Sequence, residues 1–177
     1  MGTNHMGRQS IRFPQPPVVR GFASVAGKKE REGPLGDQFT ATVQDTTFGE
    51  KSWERAERRM QQMTLELALE KAGLTDADLD AAFAGDLLNQ CIGSSFSLRN
   101  RGVPTLGLYG ACSTMAESLL LAAMSVSGGF ARTALAMTSS HFASSERQYR
   151  FPLGYGGQRK DSKYPFSTIG LATSSIY

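Results

Sequence analysis

Two cysteines, two histidines and one tryptophan are all that the 177-residue sequence holds of those residue types. With only Cys91 and Cys112, no disulfide framework can staple a small core, and a reducing compartment is the expectation. His5 falls in the N-terminal leader, which leaves His141 alone, and one histidine with two cysteines makes no zinc-site spacing. Long apolar runs are missing too. The longest is Leu119–Met124, against the roughly 20 residues that a spanning helix needs, and no signal-peptide core opens the chain. An excess of one charge is also absent: 19 Lys and Arg against 16 Asp and Glu leave +3, too weak a field by itself to argue for nucleic acid. No Walker A sequence occurs, and Gly107-Leu108-Tyr109-Gly110 is not a G-x-G-x-x-G, so neither nucleotide nor any other cofactor is expected. What remains, 40% hydrophobic and 20% charged residues, is a globular composition over about one domain.

The first 50 residues carry many breakers and little periodicity, with one strand expected within 18–25 and a solvated loop at Lys28–Glu32. Residues 1–5 read as a cloning remnant or an upstream start ahead of Met6. The first periodic signal begins at Ser52. Trp53, Ala56, Met60, Met63 and Leu67 are spaced 3, 4, 3 and 4, one face of a helix capped by Ser52 and ended by Gly73. At that spacing the Met and Trp stripe is core rather than a cofactor box. Thr75 and Asp78 have capping-box spacing. Apolar strand candidates then follow at 81–84, 105–109 and 133–138. Between the last two, residues 114–127 are apolar nearly all round, which predicts a buried helix stopped by Gly128-Gly129. Strands alternating with helices predict an α/β fold with a parallel sheet covered on both faces.

Ligand groups in such sheets gather beyond the carboxyl ends of the strands. Here those ends read Gly85-Asp86-Leu87-Leu88-Asn89-Gln90, Gly110-Ala111-Cys112-Ser113 and Ser139-Ser140-His141. If the three strands are neighbours, an acid, a thiol and an imidazole face one crevice. Cys112 is the sharpest position, because the turn sets its sulfur near a helix N-terminus, where a thiolate or an oxyanion is favoured. A buried structural thiol is the plainer reading, and it is the one adopted for Cys91. Asp86 is either a ligand contact or a turn acceptor for backbone N–H groups. Ser140 and His141 would point to opposite faces of a strand and form no catalytic pair. The segment 146–158, with Arg147, Arg150 and Tyr155, is rich in arginine, tyrosine and glycine. It suits a planar aromatic anion, or else is a surface loop anchored by its aromatics.

These residues carry a resemblance. The Gly110-Ala111-Cys112-Ser113-Thr114 turn is similar to the nucleophile turn of the thiolase and ketoacyl-synthase superfamily. More narrowly, the chain resembles the stage V sporulation protein AD family of spore-forming bacteria. The matching segments are Gly33–Gly36, Trp53–Arg58, Ala84–Gln90, Gly110–Thr114, Gly128–Ala131, Thr138–His141 and Glu146–Gln158. They place a thiolase-like N-terminal lobe at 26–158, after a leader (1–25) and before a divergent tail (159–177).

The resemblance implies a sporulation protein that binds dipicolinate as its calcium chelate and supports its uptake into the developing spore. It implies a peripheral position on the cytoplasmic side of the spore inner membrane, beside membrane-embedded products of the same operon. On that footing Arg147 or Arg150 pairs with a carboxylate, Tyr155 or Tyr109 stacks on the ring, and His141 or Asn89 donates to it. Gln90, Ser139 and Cys112 line the pocket, and Asp86 is a calcium contact. The superfamily draws its catalytic partners for the cysteine from a second half that this chain does not match. A non-enzymatic role is therefore expected; the alternatives are a condensing acyltransferase using Cys112 and an inactive remnant. An uncovered sheet face would be relieved by a homodimer.

Overall fold

The computed structural model describes residues 4–141, residues 144–145, and the backbone of residues 170–176. An exposed two-stranded hairpin, β1 (His5–Met6) and β2 (Ser10–Ile11), precedes the main sheet. That sheet has six strands: β3 (Gly21–Gly27), β4 (Ala41–Val43), β5 (Ala81–Gly85), β6 (Thr105–Leu108), β7 (Ala134–His141) and β8 (Gly170–Ile176). Their order is β4-β3-β8-β7-β5-β6. β7, β5 and β6 are mutually parallel, as are β3 and β4, while β8 runs antiparallel between β3 and β7. The expected α/β sheet is present as a mixed one. The expected strand within 18–25 begins three residues later, and the expected solvated loop at Lys28–Glu32 contains a short exposed helix, α1 (Lys28–Arg31).

Residues 170–176, expected as part of a divergent tail, are instead the strand that joins the two parallel blocks. Their pairing with β3 and β7 spans long stretches of chain, so no local signal marks it.

Helix α2 (Trp53–Ala72) starts where Ser52 accepts a hydrogen bond from the Arg55 N–H at 3.3 Å. It stops at Gly73, whose φ of 66° is left-handed and cheap only for glycine. Thr75 and Asp78 form the full capping box, with both the Thr75 N–H and its hydroxyl donating to Asp78 Oδ2 at 2.8 Å. α2 and the short α3 (Ile92–Leu98) cover one face of the sheet, and α4 (Thr114–Ser127) covers the other. Side-chain alternation divides the core accordingly. Ala82, Ala84, Leu135 and Met137 pack under α2 and α3 with Leu65, Ala68 and Leu98. Phe83, Ala134 and Ala136 pack under α4 with Ala122. Each fully buried large side chain contributes about 1.5–3 kcal/mol relative to exposure.

The sequence pattern misplaces two helix faces. On α2 the buried positions are 56, 57, 60, 61, 64, 65, 68 and 69; Trp53, Met63 and Leu67, counted in the apolar stripe, are only half-buried. Glu57, Gln61 and Thr64 take core positions instead: Glu57 and Gln61 are bonded to buried serines, and the Thr64 hydroxyl donates to the Met60 carbonyl at 2.7 Å. α4, expected to be buried all round, buries only Thr114, Ser118, Ala122 and Ala123, leaving Leu120 and Met124 more than two-fifths exposed. Its apolar outer side meets no layer among the described residues. No helix among them is long and apolar enough to cross a membrane.

Candidate functional site

β5 and β6 end level, at Gly85 and its partner Leu108, while β7 pairs Thr138 with Gly85 and runs three residues further to His141. Ser139, Asp86 and Tyr109 therefore lie side by side across three adjacent strands, the first still within β7, at the crevice predicted for them. Gly85 is required there. A Cβ at this position would collide with the Leu108 carbonyl and the Thr114 methyl group, so strand and helix approach too closely for any side chain.

The candidate residues then divide by face. Asp86, Ser139 and His141 turn toward α2 and α3 and are buried, whereas Asn89, Gln90, Tyr109 and Cys112 are exposed. Asp86, only 1% exposed, accepts from the Leu88 N–H at 2.8 Å and from the Ser94 N–H and hydroxyl at 2.7 Å each. It is the turn acceptor of the two roles open to it, and the expected calcium contact has no support in this geometry. No group of three metal-ligating side chains occurs among the described residues. The loop that Asp86 organises carries consecutive positive φ values at Gln90 (58°) and Cys91 (51°), a conformation that costs free energy for any residue other than glycine. Cys91 is held there by its thiol, which donates to the Leu108 carbonyl at 3.1 Å. Burial, followed by the charge of Asp86, pushes that thiol's pKa up, so Cys91 is structural as expected.

Burial likewise removes His141 from the catalytic inventory. Its ring lies 5.5 Å from that of Trp53, centroid to centroid, and its Nε2 donates to the Thr46 carbonyl at 3.0 Å. A carbonyl only accepts, so the proton sits on Nε2. Burial holds the imidazole below its usual pKa, which keeps it neutral. It belongs to the α2 face, whereas Cys112 leads into α4 on the other, and the expected convergence of thiol and imidazole does not occur.

Cys112 itself lies as expected, exposed in a tight turn (Ala111–Ser113) that opens α4. Ala111 has a φ of 49°. The turn is braced from within: the Ser113 hydroxyl donates to the Gly110 carbonyl at 2.7 Å, and the Thr114 hydroxyl accepts from the Gly110 N–H at 3.1 Å. Arg147, Arg150 and Tyr155 lie outside the described residues.

Sequence reasoning missed the polar spine beneath the site. Asp86 accepts from Ser94, Ser94 accepts from the Gln61 amide at 3.1 Å, and that amide also donates to Ser139 at 2.6 Å. Ser139 in turn donates to Glu57 Oε1 at 2.7 Å, and Ser144 donates to Glu57 Oε2 at 2.6 Å. The Gln61 carbonyl accepts from Ser97 at 2.6 Å. Every hydroxyl can donate once and accept once in a consistent direction, so α2, α3, β5, β7 and residue 144 are tied by one network. Glu57 has no exposed surface, and its partners among the described residues include no cation; burial, outweighing the two serines, raises its pKa to about 7. The signal was present in the sequence as Glu57, Gln61 and Thr64 at spacings of 4 and 3, a polar strip beside the apolar one.

A family model for stage V sporulation protein AD matches residues 7–173. The chain belongs to that family. Stage V sporulation protein AD of Bacillus subtilis (strain 168) is 44% identical over 156 residues, covering 88% of this chain and 46% of the relative. The chain thus spans about half the length of that relative. The matched range also takes in most of the segment expected to be a divergent tail, in keeping with β8. Among solved structures, the priming β-ketosynthase of the R1128 polyketide pathway aligns over 93% of this chain and 52% of its own, at 17% identity and a TM-score of 0.55. The 3-oxoacyl-(acyl carrier protein) synthase III of Xanthomonas oryzae pv. oryzae aligns over 92% and 56%, at 15% identity and 0.56. At such identities the likeness concerns the fold alone, which is thiolase-like. This member of the stage V sporulation protein AD family therefore has the lobe that carries the cysteine turn.

Proposed function

We propose that this sporulation protein binds dipicolinate, presented with calcium, and supports its uptake into the developing spore. Family membership carries the reading. Cys112, exposed in the turn that opens α4, supports a site at that helix N-terminus, whose dipole attracts a carboxylate, and Asn89, Gln90 and Tyr109 are exposed at the same end of the sheet. Arg147 and Arg150 supply the charge that pairs with the two carboxylates, and Tyr109 or Tyr155 supplies a ring to stack on. The protein works at the cytoplasmic side of the spore inner membrane beside membrane-embedded partners of its operon. Calorimetric titration of the full chain with dipicolinate and calcium is expected to show saturable binding, weakened about tenfold or more in Arg147→Ala. Absence of saturation with a monodisperse protein would sink the reading.

The exposed Cys112 favours one alternative, acyl transfer. Incubation with an acyl thioester followed by intact-mass measurement separates the two. The binding protein stays unmodified; a mass increase lost in Cys112→Ser favours the acyltransferase. A chain that neither binds nor reacts is an inactive remnant.

A homodimer completes the proposal. Among the described residues β6 is an edge strand, with no strand neighbour on one side, and it presents Leu106 at 50% exposure. Such an edge invites pairing with a second copy. Sedimentation velocity should report a dimer for the natural protein and a monomer for Leu106→Lys; a monomeric natural protein rejects it.

A further inference from the structure

All of the chain's net charge sits in its first 24 residues. That stretch holds Arg8, Arg12 and Arg20 and no Asp or Glu, while the rest of the chain holds 16 Lys and Arg against 16 Asp and Glu. Spread over the whole chain, +3 is a weak field. Gathered on one segment, it acts on whatever comes within a Debye length, about 10 Å at 0.1 M salt. The three arginines are exposed, and none is in an ion pair among the described residues. Arg20 attracts Asp78 without pairing with it. The same segment leaves apolar side chains in water. Val18, Val19 and Phe22 are 71%, 52% and 64% exposed, and Met6 and Ile11 of the hairpin are exposed as well. Single exposed apolar residues need no cause, but five within one acid-free stretch do. All eight side chains lie at or beyond Met6, clear of residues 1–5. Met6, Arg12 and Pro14 line one shallow cavity of about 240 Å3, so the hairpin packs back against the proline run that leads to Val18. At the start of β3, the Lys71 ammonium brings a fourth cation to 5.2 Å from the Phe22 ring centroid.

We propose that residues 6–22 form a contact surface for an anionic lipid bilayer. Val18, Val19 and Phe22, with Met6 and Ile11, enter the headgroup layer, and the arginine guanidiniums pair with lipid phosphates. Two observations select this partner. Cations free of competing carboxylates call for a surface of negative charge. Apolar side chains interleaved with them call for hydrocarbon directly beneath that charge, which a lipid bilayer has and the phosphate backbone of a nucleic acid lacks. Neither signal suffices alone, since each arginine adds little and the apolar residues are few; together they give a peripheral, salt-sensitive hold. The inference rests on the membrane-side position proposed above only for its place in the cell, and needs neither dipicolinate nor a membrane protein.

The test is co-sedimentation of the full chain with protein-free vesicles of phosphatidylglycerol and phosphatidylcholine in equal parts, with phosphatidylcholine vesicles as the uncharged control. Binding to the mixed vesicles is expected at about 0.1 M salt, with loss near 1 M and little binding to the control. Arg8→Gln, Arg12→Gln and Arg20→Gln should each lower the partition coefficient about fivefold, the effect of one cation at an anionic surface. Replacing Val18, Val19 and Phe22 together by serine should lower it about tenfold or more. Replacing Lys51, Arg55 and Arg99 together by glutamine removes as much charge from the neighbourhood of α2 and α3, and should change it less than about twofold. Every substituted side chain is exposed, and an unchanged urea midpoint checks that each variant is folded. No binding to the mixed vesicles or equal binding to both kinds would overturn the proposal. So would an equal loss in the Lys51, Arg55 and Arg99 variant, or an undiminished affinity in the serine variant, which would mean that charge alone holds the protein. Dipicolinate titration is read separately. Saturable dipicolinate binding without vesicle binding overturns the lipid contact and leaves the proposed function standing; the converse supports the contact and sinks that function.

Discussion

The unfolding free energy of the protein is expected to fall as pH rises from about 4.5 to about 7, and the slope should be much reduced in Glu57→Gln. The cause is one buried carboxyl. Its pKa is raised from 4.5 to about 7 in the folded state, mainly by burial. Between those values the native protein holds a proton that the unfolded chain releases, so stability decreases with pH. The stabilisation is complete below about 4.5 and is lost as pH passes through about 7, a difference of roughly 3 kcal/mol. His141 acts in the opposite sense. Its folded pKa is held below 6.5, so its contribution is lost as pH falls through that region. Subtracting the Glu57→Gln profile removes this and every other shared slope. Glutamine is tolerable because its amide donates where the carboxylate accepted, and the Ser144 proton has another acceptor, the His141 carbonyl at 2.9 Å. Glu57→Ala offers Ser139 and Ser144 nothing and leaves a cavity, and about 3 kcal/mol or more is lost at pH 5. Urea unfolding across pH provides the measurement. Parallel profiles for the natural protein and Glu57→Gln would show that Glu57 does not titrate in this window.

Asp86→Ala is expected to lose at least about 3 kcal/mol, because the Leu88 N–H, the Ser94 N–H and the Ser94 hydroxyl are left buried and unpaired together. Asp86→Asn costs less. Its one carbonyl serves either Ser94 or Leu88, and its NH2 then faces a donor. A second readout is chemical. Asp86 holds the loop whose Cys91 is buried, and its charge helps push that thiol's pKa up. Under native conditions a disulfide reagent should modify Cys112 alone in the natural protein, and Cys112 and Cys91 in Asp86→Ala. Unchanged stability together with an unreactive Cys91 would mean that the loop is held by something other than Asp86.

Local chemistry is what the sequence by itself determined. The Ser52 cap, the Gly73 stop, the Thr75–Asp78 capping box, the three parallel strands and the cysteine turn ahead of α4 each follow from neighbours within a few residues. The parallel run of β5, β6 and β7 follows from their alternation with helices, and the fold class with it. Tertiary structure alone decided which candidate residues meet. Asp86, Ser139 and His141 share a crevice with Cys112 on paper, but β-strand alternation sends the first three beneath α2 and α3. There Glu57 and Gln61, indistinguishable by composition from surface residues, bond Ser139 directly and reach Asp86 through Ser94. The place of β8 between β3 and β7 was equally illegible, since its pairing with β3 reaches across most of the chain. The side of α4 that no described residue covers is the converse case: its sequence already asks for burial all round, and only the packed molecule shows which side receives it from the sheet. In each instance the physical reason is the same. Capping and periodicity act over one or two turns, whereas the face a side chain takes and the group it meets depend on register between segments far apart in the chain.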